Sequence, residues 1–133
     1  MKHYLGIDIG SVTIAIAIIN QDKKIIHSDY IFHEGKISEN LKILFQKSDL
    51  SNIYGIATTS STPKIFKNSE IYDNRVSNIT AAKYFTPKIG SLLIVGGEKF
   101  GLAVFDENRD YKNYRSNSSC AAGTGSFLDQ QSK

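Results

Sequence analysis

One cysteine and two prolines in 133 residues set the first limits on this chain. With Cys120 alone, no internal disulfide framework can form, so the fold must hold by its core. The scarcity of proline, beside a hydrophobic content of 41%, marks a globular chain of one ordinary domain rather than a disordered one. No apolar run approaches the roughly 20 residues of a membrane span. The longest, Val12 to Ile19, is far shorter. Nor is there a basic block: the net charge of +3 comes from scattered lysines, which argues against nucleic-acid and membrane-surface partners. A signal-peptide pattern is also missing, so the expected compartment is the cytoplasm.

What is present begins at Gly6 to Thr13, GIDIGSVT, where an acidic residue and a glycine turn stand between two strongly apolar runs. Tyr4 to Ile9 and Val12 to Ile19 read as strands. Apolar residues occupy both parities, which predicts strands buried on both faces. Asp8 is the anomaly, because a carboxylate at the end of a buried strand needs a partner. Gly10 tolerates positive φ and a close ligand, and the turn N–H groups with the Ser11 and Thr13 hydroxyls suit an anion such as phosphate. Asp8 would repel that phosphate unless a hard cation such as Mg²⁺ stood between them. The plainer alternative is an ordinary hairpin whose Asp caps its own turn, and on eight residues alone that is the default.

The third strand is expected at Lys24 to Phe32, completing an antiparallel meander. Ile37, Leu41, Leu44 and Phe45 form the stripe of an amphipathic helix ending near Lys47. Ile53 to Thr59, reached by that helical crossover, should run parallel to the first strand. Thr62-Pro63 reads as an N-cap opening a short helical turn through Lys67, and Glu70 to Tyr72 as an edge strand. Val76 to Phe85 predicts a second helix ended by Thr86-Pro87. The sequence divides there into residues 1–88 and 89–133. Residues 91 to 105, SLLIVGGEKFGLAVF, echo residues 4 to 18 as strand, glycine turn and strand, and Tyr111 to Arg115 supplies a third strand. The fold class is α/β, with a mixed sheet of meander plus parallel strands flanked by helices.

The second chemical signal is Asn117 to Gln130, NSSCAAGTGSFLDQ. A cysteine near glycine-rich backbone and a helix start sees N–H groups that stabilise a thiolate or an anionic cluster. A buried inert thiol is the commoner fate of a free cysteine. A nucleophile would need a base, and His3, His27 and His33 show no spacing signature; each reads as structural or surface.

GIDIGSVT, ATTSS, VSNITAAKYF, LLIVGGEKFGLAVF and NSSCAAGTGSFLDQ together resemble, in order and spacing, the ATPase activators of 2-hydroxyacyl-CoA dehydratases, which include the ATPase subunits of benzoyl-CoA reductases. The match is best to the repeats of the long multi-domain activases. The resemblance implies an actin-like, ribonuclease-H-like fold with ATP between two related halves. It also implies a homodimer sharing a [4Fe-4S] cluster, and ATP-driven electron transfer to a dehydratase or benzoyl-CoA reductase-like partner. It places Asp8 at Mg²⁺ through water as the catalytic acidic residue, and Gly10, Ser11, Val12 and Thr13 in a first phosphate loop. Gly96, Gly97 and Glu98 fall at the second phosphate loop, and Cys120 at a cluster ligand.

The chain departs from that family where Ile94 and Lys99 replace acidic residues around the glycine pair, and where Asn78 replaces a helical glutamate. These changes remove groups that position metal and water. The family's second cysteine lies beyond Lys133, so the chain reads as an activase fragment: a first subdomain and the opening of a second. A degenerate module for dimerisation or partner docking is the alternative, and a small-molecule kinase a third.

Overall fold

The computed structural model describes residues 1–96 and 100–117; Gly97, Glu98, Lys99 and residues 118–133 lie outside the described residues. Two compact units divide the chain, Met1–Asn74 and Arg75–Lys133.

The first unit runs β1 (His3–Ile9), β2 (Thr13–Ile19), β3 (Ile25–Phe32), α1 (Ile37–Gln46), β4 (Ile53–Thr59) and β5 (Ser69–Tyr72). They form one sheet in the order β3-β2-β1-β4-β5. Short turns make the β1–β2–β3 meander antiparallel, and the α1 crossover returns β4 parallel to β1, with β5 parallel to β4. This is the mixed sheet expected from the apolar runs and the helical stripe. Leu41 and Leu44 on the apolar side of α1 are buried with Leu5, Ile7, Ile9, Ile14, Ile16 and Ile18, and Ile37 and Phe45 pack against that cluster.

Burial in β1 and β2 alternates instead of covering both faces. Gly6, Asp8, Ala15 and Ala17, on the parity opposite the buried residues, are half-buried or exposed. Counting Ala, Gly and Ile alike as apolar hid this difference, because apart from Tyr4 and Ile19 the second parity carries only small or polar residues. The open face holds a hollow of about 450 Å³ lined by Tyr4, Gly6, Ala17, Gly55, Ala57 and Tyr72 among others. A second departure lies at Thr62-Pro63, where no helical turn forms. The Thr62 hydroxyl accepts the Ile9 N–H of β1 at 2.9 Å, so this oxygen serves a strand end rather than a helix start.

The second unit begins at Arg75 within α2 (Asn74–Phe85), which leads to β6 (Ser91–Val95), β7 (Phe100–Phe105) and β8 (Tyr111–Asn117), an antiparallel sheet in the order β6-β7-β8. The echo between residues 4–18 and 91–105 therefore appears as two antiparallel hairpins, each followed by a third antiparallel strand. Ile89, Ala103 and Phe105 form the core, packed by Ile79 and Ala82 of α2 and by Leu92 and Tyr114. These contacts group α2 with the second unit, although the sequence reading drew its line after residue 88. No helix among the described residues is long and apolar enough to cross a membrane.

Candidate functional site

Parallel strands leave their carboxyl ends side by side, and in open α/β sheets that edge is where ligands bind. Here β1 and β4 bring Asp8 and Thr59 together across 51 residues of sequence. The Thr59 hydroxyl donates to Asp8 Oδ1 at 2.8 Å, and the Ser61 hydroxyl approaches the same oxygen at 3.4 Å. Asp8 itself is exposed. Its carboxylate accepts from the end of β4 and not from its own hairpin turn, which is the outcome that separates it from an ordinary turn-capping aspartate.

The donors form a directed chain. Thr62 Oγ1 accepts the Ile9 N–H at 2.9 Å and lies 2.8 Å from Thr59 Oγ1 but 3.4 Å from the Ile7 carbonyl. Since the Thr59 hydrogen is committed to Asp8, the Thr62 hydroxyl donates to Thr59. The sequence Ile9 N–H, Thr62, Thr59, Asp8 thus ties the carboxylate to the backbone of its own strand. Such chains strengthen each member and fix orientation. Asn74 braces the same loop: its Oδ1 accepts from Ser60 Oγ at 2.7 Å and from the Ser61 N–H at 3.1 Å, while its Nδ2 donates to Ser61 Oγ.

Beside Asp8 the β1–β2 turn is open. The Gly10 N–H donates to the Thr13 carbonyl at 3.0 Å, and Ser11 and Val12 are exposed. Nothing lies within 4 Å of where a Cβ at Gly10 would stand. Gly35 is the glycine with positive φ among the described residues, so Gly10 supplies room rather than an unusual backbone angle. No cluster of three or more His, Cys, Asp or Glu residues exists among the described residues.

Of the expected site residues, the first unit brings together Asp8, Gly10, Ser11, Val12 and Thr13. Gly96 follows β6 in the second unit. Gly97, Glu98 and Cys120 lie outside the described residues. Two contributors escaped the sequence reading. Thr59 and Ser61 stand in the sequence only as part of the ATTSS motif and Thr62 as a helix N-cap; the signal for their role is the position of ATTSST at the end of a strand parallel to β1. His33, which the sequence marks only as structural or surface, reaches the turn directly: its ring Nε2 lies 2.9 Å from the Gly10 carbonyl.

No protein-family model matches the chain. Similar proteins nevertheless cover nearly all of it. An uncharacterized protein of Methanocaldococcus jannaschii is 26% identical over 130 residues, which are 95% of this chain and 53% of that protein. The 2-hydroxyisocaproyl-CoA dehydratase activator of Clostridioides difficile is 25% identical over 138 residues, covering 97% of this chain and 51% of the relative. The (R)-2-hydroxyglutaryl-CoA dehydratase activating ATPase of Acidaminococcus fermentans is 28% identical over 137 residues, with shares of 94% and 50%.

The solved structure of the Clostridioides activator with bound ADPNP superimposes with a TM-score of 0.76 at 23% identity, over 96% of this chain and 50% of that one. Component A of the Acidaminococcus dehydratase gives 0.74 at 18% identity, over 97% and 52%. The fold is thus that of the actin-like ATPase activators. The resemblance read from the motifs holds: over about 95% of its length the chain is similar to activators of 2-hydroxyacyl-CoA dehydratases. It spans about half the length of the relatives that it matches.

Proposed function

We propose that this chain supplies the phosphate-binding half of an ATP-dependent activator of a 2-hydroxyacyl-CoA dehydratase or a related reductase. The observation that carries the reading is the Asp8 carboxylate, exposed at the end of β1, tied by Thr59 to its own strand and adjacent to an open glycine turn. In this reading Ser11, Val12 and Thr13 offer backbone N–H groups and hydroxyls to the phosphates of ATP. Asp8 holds Mg²⁺ through water, and Mg²⁺ when bound supplies charge neutralisation between carboxylate and phosphate. The donor set suits that ion: one carboxylate oxygen is anchored by hydroxyls, and no protein cage is present among the described residues. Gly96, Gly97 and Glu98 belong to the same proposal as a second phosphate loop.

Cys120 is the chain's one cysteine, so two copies supply two thiolates where a [4Fe-4S] cluster takes four. The residues of this chain alone do not complete such a cluster. Dimerisation and docking to the dehydratase remain part of the proposal, as does residence in the cytoplasm.

Calorimetric titration of the full-length protein with Mg·ADPNP tests the reading. Saturable binding that is lost in Asp8→Ala supports it, and a full-length protein with no affinity for the nucleotide contradicts it. A second reading, a non-hydrolysing docking module, is favoured by Ile94 and Lys99 where the resembling family has acidic residues. Measurable ATP turnover by the full-length protein excludes it.

A further inference from the structure

The β3–α1 connection grips the glycine turn at two carbonyls, and a single residue does both. The backbone N–H of His33 donates to the Val12 carbonyl at 3.1 Å, and its ring Nε2 stands 2.9 Å from the Gly10 carbonyl. The Gly35 N–H donates to His33 Nδ1 at 3.0 Å, so Nδ1 is the acceptor and Nε2 carries the hydrogen toward Gly10. His33 is itself buried at 6% exposure and held from behind, its carbonyl accepting from the Lys36 N–H at 2.7 Å and from Asn40 Nδ2 at 3.0 Å. Gly35 adopts φ of 82°, a left-handed angle that lets the chain fold its N–H back onto the imidazole.

Peptide geometry gives these bonds a consequence at the ligand side. In a trans peptide the C=O of one residue and the N–H of the next point in opposite directions. A Gly10 carbonyl drawn toward His33 turns the Ser11 N–H away from His33, and a Val12 carbonyl drawn the same way turns the Thr13 N–H likewise. A tight hairpin would instead spend the Gly10 carbonyl on its own turn.

We infer that His33 is a positioning residue: by holding the Gly10 and Val12 carbonyls it aims the Ser11 and Thr13 N–H groups at the terminal phosphates of a bound nucleotide. The inference rests on the phosphate-loop reading above and assigns that loop its anchor. His33 touches no phosphate and exchanges no proton; it prepays the ordering of the anion-binding amides.

The test compares His33→Leu, which fills the space without a donor, with His33→Gln, which keeps an N–H at comparable reach. In the full-length protein His33→Leu should raise the Kd for Mg·ADPNP about tenfold, and His33→Gln should restore it to within about threefold of the wild type. Wild-type binding that is lost in Asp8→Ala yet unchanged in His33→Leu overturns the role of His33 and leaves the phosphate-loop reading standing. No binding by the wild-type protein overturns both. Should the leucine variant fail to fold, long-range ¹H–¹⁵N spectra of the unmodified protein decide the matter. The account expects the Nε2–H tautomer at His33 and ring resonances that shift when Mg·ADPNP is added; ring resonances that stay in place contradict it.

Discussion

The two hairpins of this chain share a pattern and differ in what holds them. In the first, β1 and β2 bury Leu5, Ile7, Ile9, Ile14, Ile16 and Ile18 against α1, and the turn between them is gripped from outside by His33 and overlooked by Asp8. In the second, the buried cluster is Ile89, from the segment before β6, with Ala103 and Phe105 of β7. β6 itself, SLLIV, contains no acidic residue. A repeated strand-turn-strand architecture is thus a scaffold whose two copies can carry different cores and different strand-end residues. The first hairpin combines a thick core with a polar end, and that combination lets a carboxylate and an open turn persist there.

Breaking each core should separate the two regions. Ile14, with 0% exposure, is at the centre of the first. Ile14→Ala should cost about 2–5 kcal/mol, as large-to-small core changes do, and lower the thermal midpoint of the whole first unit in calorimetry. In the second region the sensitive position is Gly101, where a Cβ would overlap the Tyr114 hydroxyl and ring. Tyr114 has little freedom to yield, since the Arg75 guanidinium stacks 3.9 Å from its ring centroid. Gly101→Ala should therefore destabilise by about 1–3 kcal/mol, whereas Gly10→Ala in the first turn, with open space around it, should be nearly neutral for stability. Equal effects of the two alanines in a melting experiment would erase the distinction.

Smaller changes sharpen the polar end. Thr62→Val leaves the buried Ile9 N–H without its acceptor and breaks the chain that orients Asp8, so it should cost about 1–3 kcal/mol. Denaturant unfolding measures that cost. The smallest effect is expected far from the site, at Asp49. The Ser51 hydroxyl, followed by the Ser51 N–H, holds the Asp49 carboxyl below its ordinary value. With the folded value lowered, this pair stabilises above the unfolded value and loses its effect as pH falls through the folded one. Ser51→Ala should move the Asp49 titration up in an NMR pH series while leaving the site untouched.

The strands, α1, α2 and the mixed topology were legible because apolar runs of the right length and a helical stripe state them in local order. Asp8 was legible because a carboxylate stands out at the end of an apolar run. The one-sided burial of the sheet was not, since Ala15 and Ala17 are as apolar as Ile14 and Ile16 but too small to build a second core. The Thr59–Thr62 chain and the grip of His33 were invisible for another reason. Asp8 and Thr59 are 51 residues apart, and Gly10 and His33 are 23, so each meeting depends on strand pairing that no local pattern announces. Thr62-Pro63 misled because a helix-start signature and a hydroxyl serving a strand end are written with the same residue.

The central claim is that the turn at Gly10 to Thr13, beside Asp8, receives nucleotide phosphate. The most direct measurement is a crystal structure of the full-length protein with Mg·ADPNP. The account predicts the terminal phosphates within hydrogen-bond distance of the Ser11 and Thr13 N–H groups, with the metal's water shell against Asp8. A nucleotide bound elsewhere, with that turn and Asp8 free of phosphate and metal, would contradict it.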